Sequence, residues 1–159
     1  MKVICLGLDP AGLYLAGLIK TSGVAAEVEI VEGTGVAAHA PPHVMAHPLK
    51  PGARLADDQL DRAITSASRS VRGVRLRAAV LDRSTDNQTY GFIDAVTLRD
   101  LVRERARELG CRFTSGPTPT SAALADADLV IVAEGAESPT RAAHGGAFGT
   151  ATETSTTRH

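Results

Sequence analysis

MKVICLGLDPAG, residues 1–12, is the stretch whose reading decides the fold of this 159-residue chain. Lys2 to Leu6 is an apolar run of strand length, Gly7 supplies a turn, and Pro10 is suited to the first position of a helix. The resulting spacing is G-x-D-x-x-G. The dinucleotide-binding fingerprint is G-x-G-x-x-G, whose second glycine lets a pyrophosphate approach the backbone at the helix N-terminus. Asp9 puts a side chain and a negative charge in that place, and two like charges about 4 Å apart repel by roughly 4 kcal/mol at an effective dielectric near 20. Asp before Pro is also a favoured N-cap and N1 pair. The carboxylate then caps its own helix and stands in for the phosphate.

Working outward, the helix from Pro10 runs to about Ser22, with Leu13, Ala16, Gly17 and Leu18 suited to packing on a sheet. A second strand follows over Glu27–Val31. Glu32 lies 20 residues after Gly12, the spacing of the acidic residue that binds a ribose hydroxyl, and a solvated strand end is the alternative reading. Residues 33–53 read as a loop rich in Gly, Pro, Ala and His. A short helix is expected from Asp57 to Ser68, and the runs 74–81 and 89–93 as a β-hairpin. A long helix spans Ala95 to Leu109 with an apolar stripe of Leu98, Leu101, Val102, Ala106 and Leu109, closed by Gly110. Cys111–Thr114 is a short strand. Leu129–Ala133 is apolar throughout, which predicts a central strand of a parallel sheet. The expected fold is therefore α/β and Rossmann-like: a mostly parallel sheet with flanking helices and a β-hairpin excursion. Residues 1–135 form the degenerate dinucleotide-binding domain, and 136–159 are expected to be a flexible C-terminal tail.

A hydrophobic content of 43% suffices for one ordinary core, and a net charge of −1 gives no electrostatic case for nucleic acid or an anionic membrane. No apolar run is long enough to span a bilayer, and Lys2 leads straight into a strand without a signal-peptide pattern. Cys5 and Cys111 lack metal-ligand spacing and read as buried thiols of a cytoplasmic protein. His39, His43 and His47 recur every four residues, which on a helix would align three imidazoles. Pro41, Pro42 and Pro48 oppose such a helix, so no metal site is expected. His43 remains a candidate general acid or base because histidine titrates near neutrality; solvated loop histidines are the alternative. Arg99, Arg103, Arg105 and Arg107, interleaved with Glu104 and Glu108, read as a solvated helix face.

Three segments taken together, MKVICLGLDPAGLYLAGLIK, GFIDAVTLRDLVRERARELG and ADADLVIVAEGAESPTR, resemble the FAD-binding domain of aromatic flavoprotein monooxygenases, in particular the aryl-CoA type acting on salicyloyl-CoA or aminobenzoyl-CoA. The Ala- and Arg-rich composition suits a bacterial source. The resemblance implies that Gly7, Asp9, Gly12, Glu32 and Glu134 line the ancestral cofactor cleft. It also marks departures. Asp9 replaces the glycine facing the pyrophosphate, and Gly33 follows Glu32 where the family has an arginine over the adenine. Thr97 stands where the family's flavin-contacting arginine falls, and Glu134-Gly135 replaces an Asp-Gly turn. The later Gly-Asp motif and substrate sheet of the family have no counterpart in the sequence.

Losses directed at one ligand imply that FAD is lost or held only weakly, since each missing charge-assisted contact costs about 1.5–3 kcal/mol. The leading expectation is a flavin-independent small-molecule-binding protein or tailoring enzyme of biosynthetic metabolism. It would perform an isomerisation, cyclisation or hydrolysis on a biosynthetic intermediate, with Asp9 or His43 as acid or base. The alternatives are the FAD-binding half of a split monooxygenase, completed by a partner chain, and a non-catalytic interaction or regulatory module.

Overall fold

Alternate residues of Lys2–Leu6 (β1) serve opposite faces of a sheet: Val3 and Cys5 enter one apolar cluster, Ile4 and Leu6 another. A strand buried on both faces is the pattern of a parallel sheet covered on both sides. The computed structural model describes residues 1–33, 44–48, 55–73, 75–78, 81–84, 89–135 and 138–148. Within them β1 leads through Gly7 to the helix Pro10–Thr21 (α1), then to Glu27–Gly33 (β2). The excursion that follows comprises Val44–Pro48 (β3), the helix Asp58–Ala67 (α2), Arg69–Arg72 (β4), Arg75–Ala78 (β5), Leu81–Ser84 (β6) and Thr89–Asp94 (β7). The chain returns through the helix Ala95–Glu108 (α3), Arg112–Gly116 (β8), a short helix Ser121–Leu124 (α4) and Leu129–Val132 (β9). Two short helices, Pro139–Ala143 (α5) and Gly145–Phe148 (α6), lie in the stretch read as a tail.

The main sheet has the order β8-β2-β1-β9 and is parallel throughout. Helices α1, α2 and α3 cover one face, where Leu13, Ala16, Leu60, Ile64, Val102 and Ala106 pack on Val3, Cys5, Val28 and Ile30. On the other face Leu124 and Ala127 cover Ile4, Leu6 and Val31. The α/β class and the flanking helices are thus as the sequence reads.

Helix α3 ends as its sequence requires. Gly110 has φ +84, its N–H reaches the Arg107 carbonyl at 2.9 Å, and the Cys111 N–H reaches Ala106 at 3.0 Å. These paired bonds satisfy carbonyls that the end of the helix leaves open. Among the described residues no helix is long and apolar enough to cross a membrane.

Three expectations are corrected. The loop assigned to 33–53 contains β3, which pairs antiparallel with β7. The hairpin partners also differ: β7 pairs with β3 and β4, while β5 and β6 form their own hairpin in the register Ala78 opposite Leu81. Alternation of side chains identifies a strand without naming its partner, and β4, RSVR, is exposed along its whole length and carries no apolar signal. Finally, β9 is an edge strand of the described sheet, not a central one, and Leu129 and Val132 are 40% and 41% exposed.

Candidate functional site

The turn after β1 is clamped between two neighbouring strand ends. The Gly7 N–H donates to the Val31 carbonyl at 3.0 Å, and the Asp9 N–H donates to the Ala133 carbonyl at 3.1 Å. A methyl on Gly7, at φ +95, would lie 2.1 Å from the Ala133 oxygen. One on Gly12 would lie 2.3 Å from the Ala133 β-carbon. Both glycines are therefore required by close approach of the turn and helix to the end of β9. These are the tight-turn and helix-packing roles of the first and third fingerprint glycines. The carboxyl ends of β1, β2 and β9 meet here, where open α/β sheets place their ligands.

Asp9 is the N-cap of α1, and its Oδ1 accepts from the Ala11 N–H at 2.9 Å. That N–H is one of the open donors that would otherwise face an anion at the helix terminus. Asp9 is exposed, so water weakens its repulsion of a phosphate, to between about 1 and 4 kcal/mol. The residues at this terminus do not fit a pyrophosphate: one donor is taken and the charge has the wrong sign.

Glu32, near the end of β2, forms an ion pair with Arg103 of α3. The two side chains are 21% and 27% exposed. The Arg103 guanidinium also lies over the Phe113 ring, 5.7 Å from its centroid, with Arg107 at 4.8 Å. The Nε of Arg103 is buried with no partner among the described residues. The reading of the α3 arginines as a solvated face is thereby corrected for Arg103 and Arg105. Arg103 reaches Glu32 and Arg105 reaches Asp57 at 2.6 Å, whereas Arg107 keeps its local Glu104 at 3.4 Å. Partners 71 and 48 positions away leave no trace in the helix pattern.

Glu134 follows β9 and is buried, 4% exposed. Its carboxylate accepts from the Ser138 hydroxyl at 2.6 Å, the Thr140 N–H at 3.1 Å and the Thr118 hydroxyl at 3.4 Å. Burial pushes its carboxyl up, but these hydrogen bonds outweigh it and hold the group below the ordinary glutamate value. Ser138 also caps α5 by accepting from Arg141 N at 3.0 Å. The Ser138-Pro139 pair repeats the cap-and-proline signal of Asp9-Pro10 and could have revealed this structure in the sequence. Thr97 spends its polar groups on Asp94, whose Oδ1 accepts from the Thr97 N–H at 2.8 Å while the hydroxyl bonds the other oxygen.

The structure brings Gly7, Asp9 and Gly12 together around Ala133, with Glu134 next in the chain. Glu32, the penultimate residue of β2, is turned to α3. His39 and His43 lie outside the described residues. His47 falls on β3 opposite Gly91, so it does not share a helical turn with the other two. Among the described residues no group of His, Cys, Asp and Glu could hold a metal ion. A cavity of about 10 Å³ lies among α1, α2 and α3, lined by Tyr14, Leu60 and Arg105. An open depression of about 460 Å³ adjoins Met1, Lys2 and Glu27 at the amino end of the sheet. Neither is at the carboxyl ends of the strands.

The fold, an α/β domain with a mostly parallel sheet and flanking helices, is shared with solved structures, one of them determined with FAD bound. FqzB superposes with a TM-score of 0.62 at 20% identity, covering 92% of this chain and 38% of that one. CtdE, solved in complex with FAD, gives 0.59 at 18% identity over 90% of this chain and 40% of its own. In sequence the chain is similar to two curated proteins, a hydroxylase and a monooxygenase. It is 30% identical over 162 residues to salicyloyl-CoA 5-hydroxylase of Streptomyces sp, covering 96% of this chain and 30% of that protein. It is 32% identical over 158 residues to 3-hydroxy-4-methyl-anthranilyl-(aryl-carrier protein) 5-monooxygenase of Streptosporangium sibiricum, covering 96% of this chain and 43% of that protein. The chain thus spans less than half the length of these curated relatives. No protein-family model matches it.

Proposed function

We propose that the chain is a flavin-independent small-molecule-binding protein or tailoring enzyme of cytoplasmic biosynthetic metabolism, derived from the FAD domain of a monooxygenase. The observation that carries this reading is the Asp9 carboxylate on the Ala11 N–H, a built-in anion at the helix terminus where a dinucleotide phosphate would rest. The engagement of Glu32 by Arg103 and of Glu134 by Ser138 and Thr140 supports it, because each acidic group of the ancestral cleft has an internal partner. Asp9, exposed at the strand ends, is the acid or base we assign to any isomerisation, cyclisation or hydrolysis there, and His43, outside the described residues, is the alternative.

The test is an absorbance spectrum of the purified protein, then FAD titration followed by thermal unfolding. Ligand at about a hundredfold excess over Kd adds about 2.7 kcal/mol, which for a chain of this length raises Tm by roughly 5–10 °C. A colourless protein without such a shift supports the reading. A flavin band, or a shift at micromolar FAD, overturns it.

The exposed apolar edge at Leu129 and Val132 favours a second reading, the FAD-binding half of a split monooxygenase. It predicts flavin uptake only when a partner chain supplies a Gly-Asp segment and a substrate sheet. Uptake by the chain alone, or by no mixture tested, removes it.

A further inference from the structure

We propose that Arg103 is a latch over the nucleoside half of the ancestral cleft and that, together with Asp9, it makes the cleft self-liganded. This rests on the reading of a vacated cofactor site and extends it to a specific closing residue. Glu32 lies near the end of the second strand of the β-α-β unit, where an acidic side chain meets a ribose hydroxyl in dinucleotide-binding folds. Here its carboxylate is taken by a guanidinium, a stronger donor than any sugar hydroxyl. The guanidinium is held from behind by the Phe113 ring of β8, which Arg107 also faces.

Arg103 is held imperfectly. Its Nε is buried and has no acceptor among the described residues, while the end of the guanidinium engages Glu32. A buried donor without an acceptor opposes the closed arrangement. The latch is thus an electrostatic closure on a side chain with several rotatable bonds, and removing it leaves the strands and glycine turn in place. Asp9 closes the phosphate half by the same logic, a carboxylate where an anion would rest. The two halves need opening together, since an adenosine diphosphate spans both.

The probe is ADP, titrated into the whole chain and into Asp9→Gly, Arg103→Ala, the double variant, and Asp9→Gly combined with Arg103→Lys. Glycine is tolerated at an N-cap. Asp9→Ser with Arg103→Ala is a second double variant that tests the same point, because serine caps well without a charge. Binding is read by thermal shift and calorimetry, with folding checked by circular dichroism. The expected result is at least a tenfold gain in ADP affinity for Asp9→Gly/Arg103→Ala over the unaltered chain. The gain should exceed the product of the single gains and be absent when lysine keeps the pair with Glu32. Folded double variants as indifferent to ADP as the unaltered chain overturn the latch. ADP or FAD binding at micromolar concentration by the unaltered chain instead overturns the vacated-site reading. In that case, equal affinity in Arg103→Ala and Arg103→Lys separately rejects the latch.

Discussion

Gly12 of α1 and Ala133 at the end of β9 meet so closely that a methyl on Gly12 would lie 2.3 Å from the Ala133 β-carbon. This contact sets how deeply the helix N-terminus settles against the strand ends, and so where Asp9 stands. Gly12→Ala should therefore destabilise by about 1–3 kcal/mol, the usual cost of overpacking a tight contact. Ala133→Gly in the same chain should recover part of that loss. Urea denaturation of the two single variants and the pair measures the coupling, and a fully stable Gly12→Ala would contradict the packing.

Asp57 joins two helices, capping α2 through Gln59 N and Leu60 N, both at 3.0 Å, and pairing with Arg105 of α3 at 2.6 Å. Asp57→Ala loses both roles and should cost about 1–3 kcal/mol, the sum of a cap and a modest ion pair. Asp57→Asn keeps a capping oxygen and should cost about 1 kcal/mol or less. Equal losses in the two variants would show that the ion pair, not the cap, dominates.

Acid should unfold the protein through specific carboxyls. The Glu134 carboxyl is driven up by burial but held low by Ser138 and Thr140, and that of Asp57 is driven up by burial but held low by Leu60 N and Arg105. The Glu29 carboxyl is lowered chiefly by Arg112, against a smaller effect of burial. A depressed folded pKa contributes stability above the unfolded value of about 4 and loses it as pH falls through the folded value. The urea midpoint should thus be flat above about pH 5 and drop steadily below it. Glu134→Gln should be less stable near neutrality and show a shallower drop. An unchanged pH profile in that variant would remove Glu134 from the account.

Burial pushes the Cys5 thiol up to about 12, and it raises Cys111 as well, against a lowering by Lys20. At pH 8 only about one Cys5 in ten thousand is thiolate, the reactive form. Neither cysteine should react promptly with an aromatic disulfide reagent in the native protein, and both should react in denaturant. Prompt native labelling of Cys5 would mean that β1 opens readily and is not enclosed on both faces.

The local elements were legible because local rules make them. Asp9-Pro10 starts α1, Gly110 closes α3, and the apolar run of β1 forms the two-sided strand. Exposed β4 and the pairing of β7 were not legible, because one lacks apolar alternation and the other is a choice among partners. The site was legible to the same extent. The fingerprint glycines and the capping aspartate announce themselves, while Arg103 gives no signal of the distant Glu32.

By itself the sequence determined the apolar first strand, the glycine turn after it, and the start of α1 with a carboxylate at its terminus, since these depend on residues close together in the chain. Only the tertiary structure decided that Glu32 faces a guanidinium, that Glu134 is buried among Ser138, Thr140 and Thr118, and that β9 lies at an edge. The physical reason is that side-chain pairing and strand order follow from which elements meet in space. Contacts such as Glu32 with Arg103 join residues 71 positions apart, and no periodicity along the chain encodes them.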